Sequence, residues 1–303
     1  MAPEPEGPTR CGVVALLGAP NAGKSTLTNA LVGQKVAIVS PKVQTTRQRL
    51  MGIAIQGATQ LLLVDTPGLF APRHRLDRAM VQSAWAGATD ADLLLAIVDS
   101  KAGLKPEVRD LLGQIAARPE RRWLVLNKVD AAEKASLLAL AGEANALAAF
   151  ERTFMVSALT GDGVADLKDA LAATLPEGPW LFPDDQLSDA PQRLMASELV
   201  REQLFVQLGA ELPYASAVVT ETFETRADGS AAIHAQILVE RDSQKAIVLG
   251  AKGARIKAIG EAARRELESL FDRRVHLFLH VKVRPGWAED RHSWRDLGLD
   301  WVD

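Results

Sequence analysis

The chain has one cysteine, Cys11, in 303 residues. That excludes an internal disulfide and fits a reducing cytoplasm. No uninterrupted apolar run approaches the roughly 20 residues that a membrane-crossing helix needs. The longest, such as residues 93–98, have strand length. Residues 1–10 hold three prolines but no basic or apolar block, and read as a disordered lead-in rather than a signal peptide. Internal repeats and low-complexity tracts are absent. His234, His276 and His280 alternate with apolar residues in strand-like runs and show no metal-ligand spacing. No Ser/His/Asp or Cys/His pairing offers a nucleophile. Apolar residues at 48% and charged residues at 24% are ordinary for a soluble globular protein, and the length allows two domains.

The net charge of −3 hides a segregation. Residues 241–285 carry eleven Lys/Arg against five Asp/Glu, whereas residues 177–190 carry four acids and no base. Residues 286–303 carry five acids against two bases. A basic block between acidic segments points to one polyanion-binding face; a solvated surface is the plain alternative.

Up to about residue 175, apolar runs at 13–17, 60–64, 93–98, 123–126 and 154–156 alternate with helix-period segments at 24–31, 76–87, 106–117 and 132–150. Repeated β-then-α order predicts an α/β, doubly wound sheet with ligand loops at the carboxyl ends of its strands. The expected boundaries are a domain at 11–176, an acidic proline-rich linker at 177–191, a second domain at 192–285 and an acidic tail at 286–303. In the second domain a helix at 192–208 precedes strands at 217–225 and 231–241. A short helix at 244–249, a turn, a helix to about residue 271 and a strand at 275–283 follow.

The run Gly18-Ala19-Pro20-Asn21-Ala22-Gly23-Lys24-Ser25, followed by Thr26, is a complete phosphate loop. Its glycines permit close backbone approach, and its N–H groups converge on phosphate oxygens at a helix N-terminus. Lys24 is placed to reach the β- and γ-phosphates and Ser25 to ligate Mg²⁺. In Asp65-Thr66-Pro67-Gly68, Asp65 can hold Mg²⁺ through water and Gly68 can offer its N–H to the γ-phosphate. In Asn127-Lys128-Val129-Asp130, the Asp130 carboxylate can accept from guanine N1–H and the exocyclic amine. Adenine lacks that donor pair and would leave the carboxylate desolvated and unpaired. Asn127 would brace the loops, the Lys128 stem can lie over the base, and Ser157-Ala158 stands where a backbone N–H meets guanine O6. GTP, rather than ATP, is the expected ligand.

These motifs resemble the translation-factor-like small GTPases. That resemblance makes Gln44-Thr45-Thr46-Arg47 the first switch, with Thr46 favoured over Thr45 as the Mg²⁺ ligand that responds to the γ-phosphate. Lys24, Thr46 and Gly68 are then the residues expected to act in hydrolysis. Leu69 stands where Ras-like enzymes place a water-orienting Gln, so slow intrinsic turnover is expected. Asn21 sits where potassium-dependent relatives hold K⁺; a loop-bracing role is the equal alternative.

Residues 239–283 have β-α-turn-α-β order with Gly250-Ala251-Lys252-Gly253 between the helices. This looks like a type II KH module, an α+β domain whose G-x-x-G turn approaches about four nucleotides of single-stranded RNA. Lys252, Arg255 and Lys257 would meet phosphates, while Ile247, Val248 and Ile256 would line a groove. Arg264, Arg265, Arg273 and Arg274 are also readable as solvated charges.

Taken together, the motifs resemble the Era family of bacterial ribosome-assembly GTPases over residues 10–300. Residues 195–198, 209–214 and 237–241 support the match. The resemblance implies GTP/GDP and Mg²⁺ as ligands, and binding to the 3′ end of 16S ribosomal RNA during maturation of the 30S subunit. A cytoplasmic monomer is expected, with peripheral contact to the inner membrane in some relatives. Two other readings stay open. One is a GTPase whose second domain binds protein or membrane, and the other an RNA-binding scaffold with a vestigial nucleotide site.

Overall fold

The computed structural model describes residues 8–39, 46–47, 49–70, 72, 75–89, 91–188, 190–209, 212–291, 294 and 301. The lead-in before residue 8, Gln44 and Thr45, and most of the tail beyond residue 291 lie outside the described residues. The chain divides into two compact units, one of residues 1–37 and 46–189, the other of residues 38–45 and 190–303.

The first unit is a six-stranded sheet in the order β2-β3-β1-β4-β5-β6. Its strands are β1 (Arg10–Gly18), β2 (Leu50–Gln56), β3 (Thr59–Asp65), β4 (Leu93–Asp99), β5 (Arg122–Asn127) and β6 (Arg152–Met155). All pairings are parallel except the antiparallel β2–β3 edge. Alternation along β1 divides the core. Val14 and Leu16 pack with Leu27 and Leu31 of α1 (Lys24–Val32) and with Leu167 and Leu171 of α5 (Val164–Thr174). Ala15 and Leu17 share the opposite cluster with residues of α2 (Arg75–Ala88), α3 (Pro106–Ala116) and α4 (Lys134–Leu147). Helices on both faces explain why the central strands are apolar almost throughout.

Sequence periodicity does not announce β2 or α5. In β2, Gly52 sits where a Cβ would lie 2.9 Å from a Val32 methyl. The strand gives up a side chain there to admit α1.

Residues 177–188 run along the first unit as a strap. Trp180 Nε1 donates to the Ala58 carbonyl at 3.0 Å, and Ile53 N–H donates to the Leu187 carbonyl at 2.8 Å. The fully buried Gln60 is the clasp. Its side-chain oxygen accepts from the N–H groups of Leu181 and Phe182, and its amide donates to the Phe182 carbonyl.

The second unit holds α6 (Gln192–Gln207) and a three-stranded sheet, β7-β8-β9, of β7 (Ser216–Thr225), β8 (Ala231–Val239) and β9 (Val275–Val283). β7–β8 is antiparallel with a register shift at Thr220/Thr222, and β8–β9 is parallel. The crossover between the parallel strands consists of α7 (Asp242–Leu249), a tight turn and α8 (Ala254–Phe271). Val200, Leu204, Ile237, Val248, Ile259 and Val281 are among the core residues joining sheet and helices. Ile38, though it comes from between α1 and β2 in sequence, is buried in this unit with Leu199, Ile233 and Leu267. The neighbouring Val39 N–H donates to the Glu202 carboxylate at 2.8 Å.

Replacing Gln60 by Leu keeps the volume but strands two backbone donors and one acceptor of the strap. A loss of about 3 kcal/mol in unfolding free energy is expected. Limited proteolysis should show new cleavage within residues 177–188.

Candidate nucleotide and RNA sites

Gly18, Asp65, Asn127 and Ser157 stand at the carboxyl ends of parallel strands or just beyond them. This is the edge at which open α/β sheets bind ligands. In the phosphate loop, the Ala22 N–H closes on the Ala19 carbonyl at 3.2 Å, and Asn21 has φ 62. Gly23 has φ 94, and a Cβ there would lie 2.2 Å from Asn127 Nδ2, so no other residue fits. Gly68 is pressed onto the loop as tightly, since a Cβ on it would lie 2.8 Å from Pro20 Cα. Leu69 N–H donates to the Gly18 carbonyl at 3.0 Å and Thr66 Oγ1 donates to the Leu16 carbonyl at 2.6 Å.

Asn127 is the brace. Its Nδ2 donates to the Ala22 carbonyl at 2.9 Å, and its Oδ1 accepts from Ala158 N–H at 3.0 Å. Lys128, at φ 64, donates to the Asn21 carbonyl at 2.5 Å and pairs with Asp99 at 2.7 Å. Asp99 is missing from the sequence-derived set; its only signal was an acid ending an apolar strand. Ser157 Oγ donates to Asp130 Oδ1 at 2.6 Å, aiming the carboxylate that would read guanine. Val129 N–H reaches the Val156 carbonyl at 3.3 Å, joining the two base-side loops.

Lys24 is buried and donates to the Gly18 and Ala19 carbonyls at 3.0 and 3.1 Å. Burial pulls its pKa down to about 8, against the attraction of Asp65. Burial pushes the Asp65 carboxyl up to about 6, offset in part by hydrogen bonds from Ser25 and Thr46 and by the charge of Lys24. Ser25 Oγ donates to Asp65 Oδ2 at 2.7 Å. Thr46 Oγ1 lies 3.0 Å from Ser25 Oγ and 3.3 Å from Asp65 Oδ2. Asp65 Oδ1 is buried and accepts no hydrogen bond among the described residues. Two hydroxyls and an under-satisfied carboxylate form a hard-oxygen set that fits a Mg²⁺ ion. Thr45 lies outside the described residues. Thr26 continues α1 and Pro67 is buried in its loop. Leu69 is 6% exposed and packs in the core with Leu17 and Val98, so it does not line a water site.

In the second unit, Gly250 (φ 69), Lys252 (φ 51) and Gly253 (φ 78) form the turn between α7 and α8. The two glycines differ. A Cβ at Gly250 would meet Arg255 Cβ at 2.7 Å, whereas one at Gly253 would meet nothing within 4 Å. Gly250 is required by the fold, and Gly253 leaves the turn open to an approaching ligand. Ala251 and Lys252 are exposed. Arg255 donates to the Ile247 carbonyl at 3.0 Å, capping α7, and Lys257 lies 4.0 Å from Glu261 on an exposed face. Val248 is fully buried, so it supports the core instead of lining a groove. A groove of about 400 Å³ lies beyond the turn, lined on α8 by Ile256, Lys257, Gly260, Glu261 and Arg264 and on β9 by Leu277 and Leu279. The β9 residues escape motif reading because their alternation looks like that of any half-buried strand.

Comparison with known proteins matches residues 13–128 to the family described as 50S ribosome-binding GTPase and residues 211–288 to the KH domain. GTPase Era of Erythrobacter litoralis is 57% identical over 97% of this chain and 98% of its own length. GTPase Era of Rhizobium meliloti is 56% identical over 97% and 94%. Among solved structures, Era in complex with MgGDPNP and nucleotides 1506–1542 of 16S ribosomal RNA superposes with a TM-score of 0.90 at 35% identity, covering 96% of this chain and 99% of that one. An Aquifex aeolicus Era variant bound to GDP·AlF4⁻ gives 0.91 at 35% identity, with the same coverage.

Since Mg²⁺ must compete with a proton at Asp65, its apparent affinity should fall about tenfold per pH unit below about pH 6. In the metal-free protein the sign is opposite. The raised carboxyl favours the folded state while protonated, and that contribution is lost as pH rises from about 4 through about 6. Thermal melting with and without Mg²⁺ across this range reads both trends.

Proposed function

Because the chain belongs to the Era family of GTPases, which convert GTP to GDP and phosphate, we propose that it is a GTP-controlled clamp on the 3′ end of 16S ribosomal RNA. It acts in the cytoplasm as a monomer during 30S subunit maturation. The observation that carries this reading is the pairing, in one chain, of an Asn127-braced guanine site with an open G-x-x-G turn. The 57% identity to an Era protein and the RNA in the related complex support the same reading.

In this proposal the loop from Gly18 to Thr26 wraps the phosphates with its N–H groups. Lys24 exchanges two backbone carbonyls for β- and γ-phosphate oxygens, and Gly68 offers its N–H to the γ-phosphate. Ser25, Thr46 and, through water, Asp65 hold Mg²⁺, which when bound neutralises charge between the phosphates. Asp130 takes the guanine donors while held by Ser157, and the Ala158 N–H, donated to Asn127 Oδ1 in the free loop, would turn toward O6 or be shared with it. Leu69 is packed away and cannot orient water, so intrinsic hydrolysis is slow. Asn21, already in a left-handed turn at the loop, is proposed to hold K⁺ beside the phosphates. Turnover in K⁺ buffer should exceed that in Na⁺ buffer severalfold; equal rates would remove the cation from the mechanism.

Loss of the γ-phosphate frees the Thr46 and Gly68 loops. The stretch between Ile38, buried in the second unit, and Thr46, bonded at the nucleotide site, provides a covalent route from that change to the RNA-binding unit. Gly250, Ala251, Lys252, Gly253 and Lys257 are proposed to contact RNA, with Arg255 holding the turn while adding its charge. A peripheral membrane contact belongs to the same family-based proposal, and flotation with anionic vesicles tests it.

Gly253→Asp introduces a carboxylate into open space, at a left-handed backbone (φ 78) that costs a side chain about 1 kcal/mol. It should weaken binding to a short 16S 3′-end RNA about tenfold or more, with melting temperature lowered by only a few degrees and basal GTP hydrolysis near wild type. Wild-type affinity should differ between the GTP-analogue and GDP forms at fixed salt, since coupling requires differential binding. Equal affinities would refute the switch.

A further inference from the structure

The three-stranded sheet has two faces. Odd-numbered residues of β8 and β9 point to the helices, and two of them, Leu277 and Leu279, reach the groove. Even-numbered residues point the other way, where Ala232 and Leu238 are buried but His234, Phe278, His280 and Lys282 are exposed. On that open face His234 and Phe278, paired in register, stack with ring centroids 4.6 Å apart and planes 16° apart. Phe278 is 47% exposed, unusual for a phenyl ring with no core role. His276 and His280 flank it along β9, and the exposed Lys282 follows on the same face.

We propose that this open face is a second RNA surface, on which unpaired bases of the strand leaving the G-x-x-G groove stack against Phe278 and His234. The inference rests on the RNA reading of the turn and extends it. Exposed rings on a sheet are a sequence-tolerant platform for bases. Continuity gives the path: β9 is an edge strand, so one strand of RNA can pass from the groove around that edge to the even-numbered side chains. Charge gives the limit. Glu221 and Glu224 lie on β7, Glu221 accepting from Gln236 of β8, and Asp228 in the β7–β8 turn faces His276. Acids thus border the β7 side and the His276 end and leave a polyanion the stretch from Phe278 to Lys282. Length gives the need. The related Era complex holds nucleotides 1506–1542, far more than the about four that such a turn grips.

The test is fluorescence anisotropy on the full-length protein at fixed salt, with an 8-nucleotide and a 24-nucleotide oligouridylate as probes. Phe278→Ala should leave melting temperature and 8-mer binding as in wild type and weaken 24-mer binding about tenfold. Phe278→Tyr should restore it, and His234→Ala should give part of the loss. An equal effect of Phe278→Ala on both lengths, or none on either, overturns the second surface. Gly253→Asp must weaken both probes; if it weakens neither, the RNA reading of the turn fails instead. Should wild type bind neither probe, both fall together.

Discussion

One buried carboxamide holds the nucleotide edge together. Asn127 ends β5 with its side chain 1% exposed, joined to the phosphate loop on one side and to the Ser157-Ala158 loop on the other. Its own carbonyl accepts from Ser100 N–H beyond β4, so four loops meet at one residue. In so dry a place each bond is hard to replace, since an unmade partner costs about 1–3 kcal/mol. Gly23 is shaped around this amide, which makes the motifs mutually dependent although they lie far apart in sequence. Phosphate grip and base choice are therefore one construction.

That construction carries tension. Lys24 and Asp65 are opposite charges buried together, and both are pushed toward neutrality by desolvation. The loop spends Lys24 on two backbone carbonyls, and one oxygen of Asp65 has no donor among the described residues. Buried ions are weak sources of stability, so this arrangement makes sense as a site completed by its ligands.

Much of this was legible beforehand, and the gaps have physical causes. The parallel strands are apolar because both faces are covered, and a composition of that kind is visible in any window. Phosphate loop, guanine-reading motif and G-x-x-G are legible because their chemistry needs particular residue types at close spacing. β2 was not, because its glycine and edge position blur the alternation. The strap over Gln60 was not, because its bonds use backbone groups, which every residue owns. Val248 and Ile247 are neighbours on one short helix, and only packing shows that the first is interior. Asp99 and Ile38 are the sharpest cases. Their roles depend on partners more than twenty residues away, which no local pattern encodes.

The edge position of β9 has a further consequence. Among the described residues it pairs with β8 alone, so beyond Val275, whose N–H donates to Glu268, one side of a long strand has no strand partner for its backbone donors and acceptors. Such a border invites a second copy of the chain to dock and propagate. Lys282 on this strand and the arginines before and after it set like charges against each other when two copies approach. The positive charge gathered around β9 would thus oppose such docking, with or without a ligand.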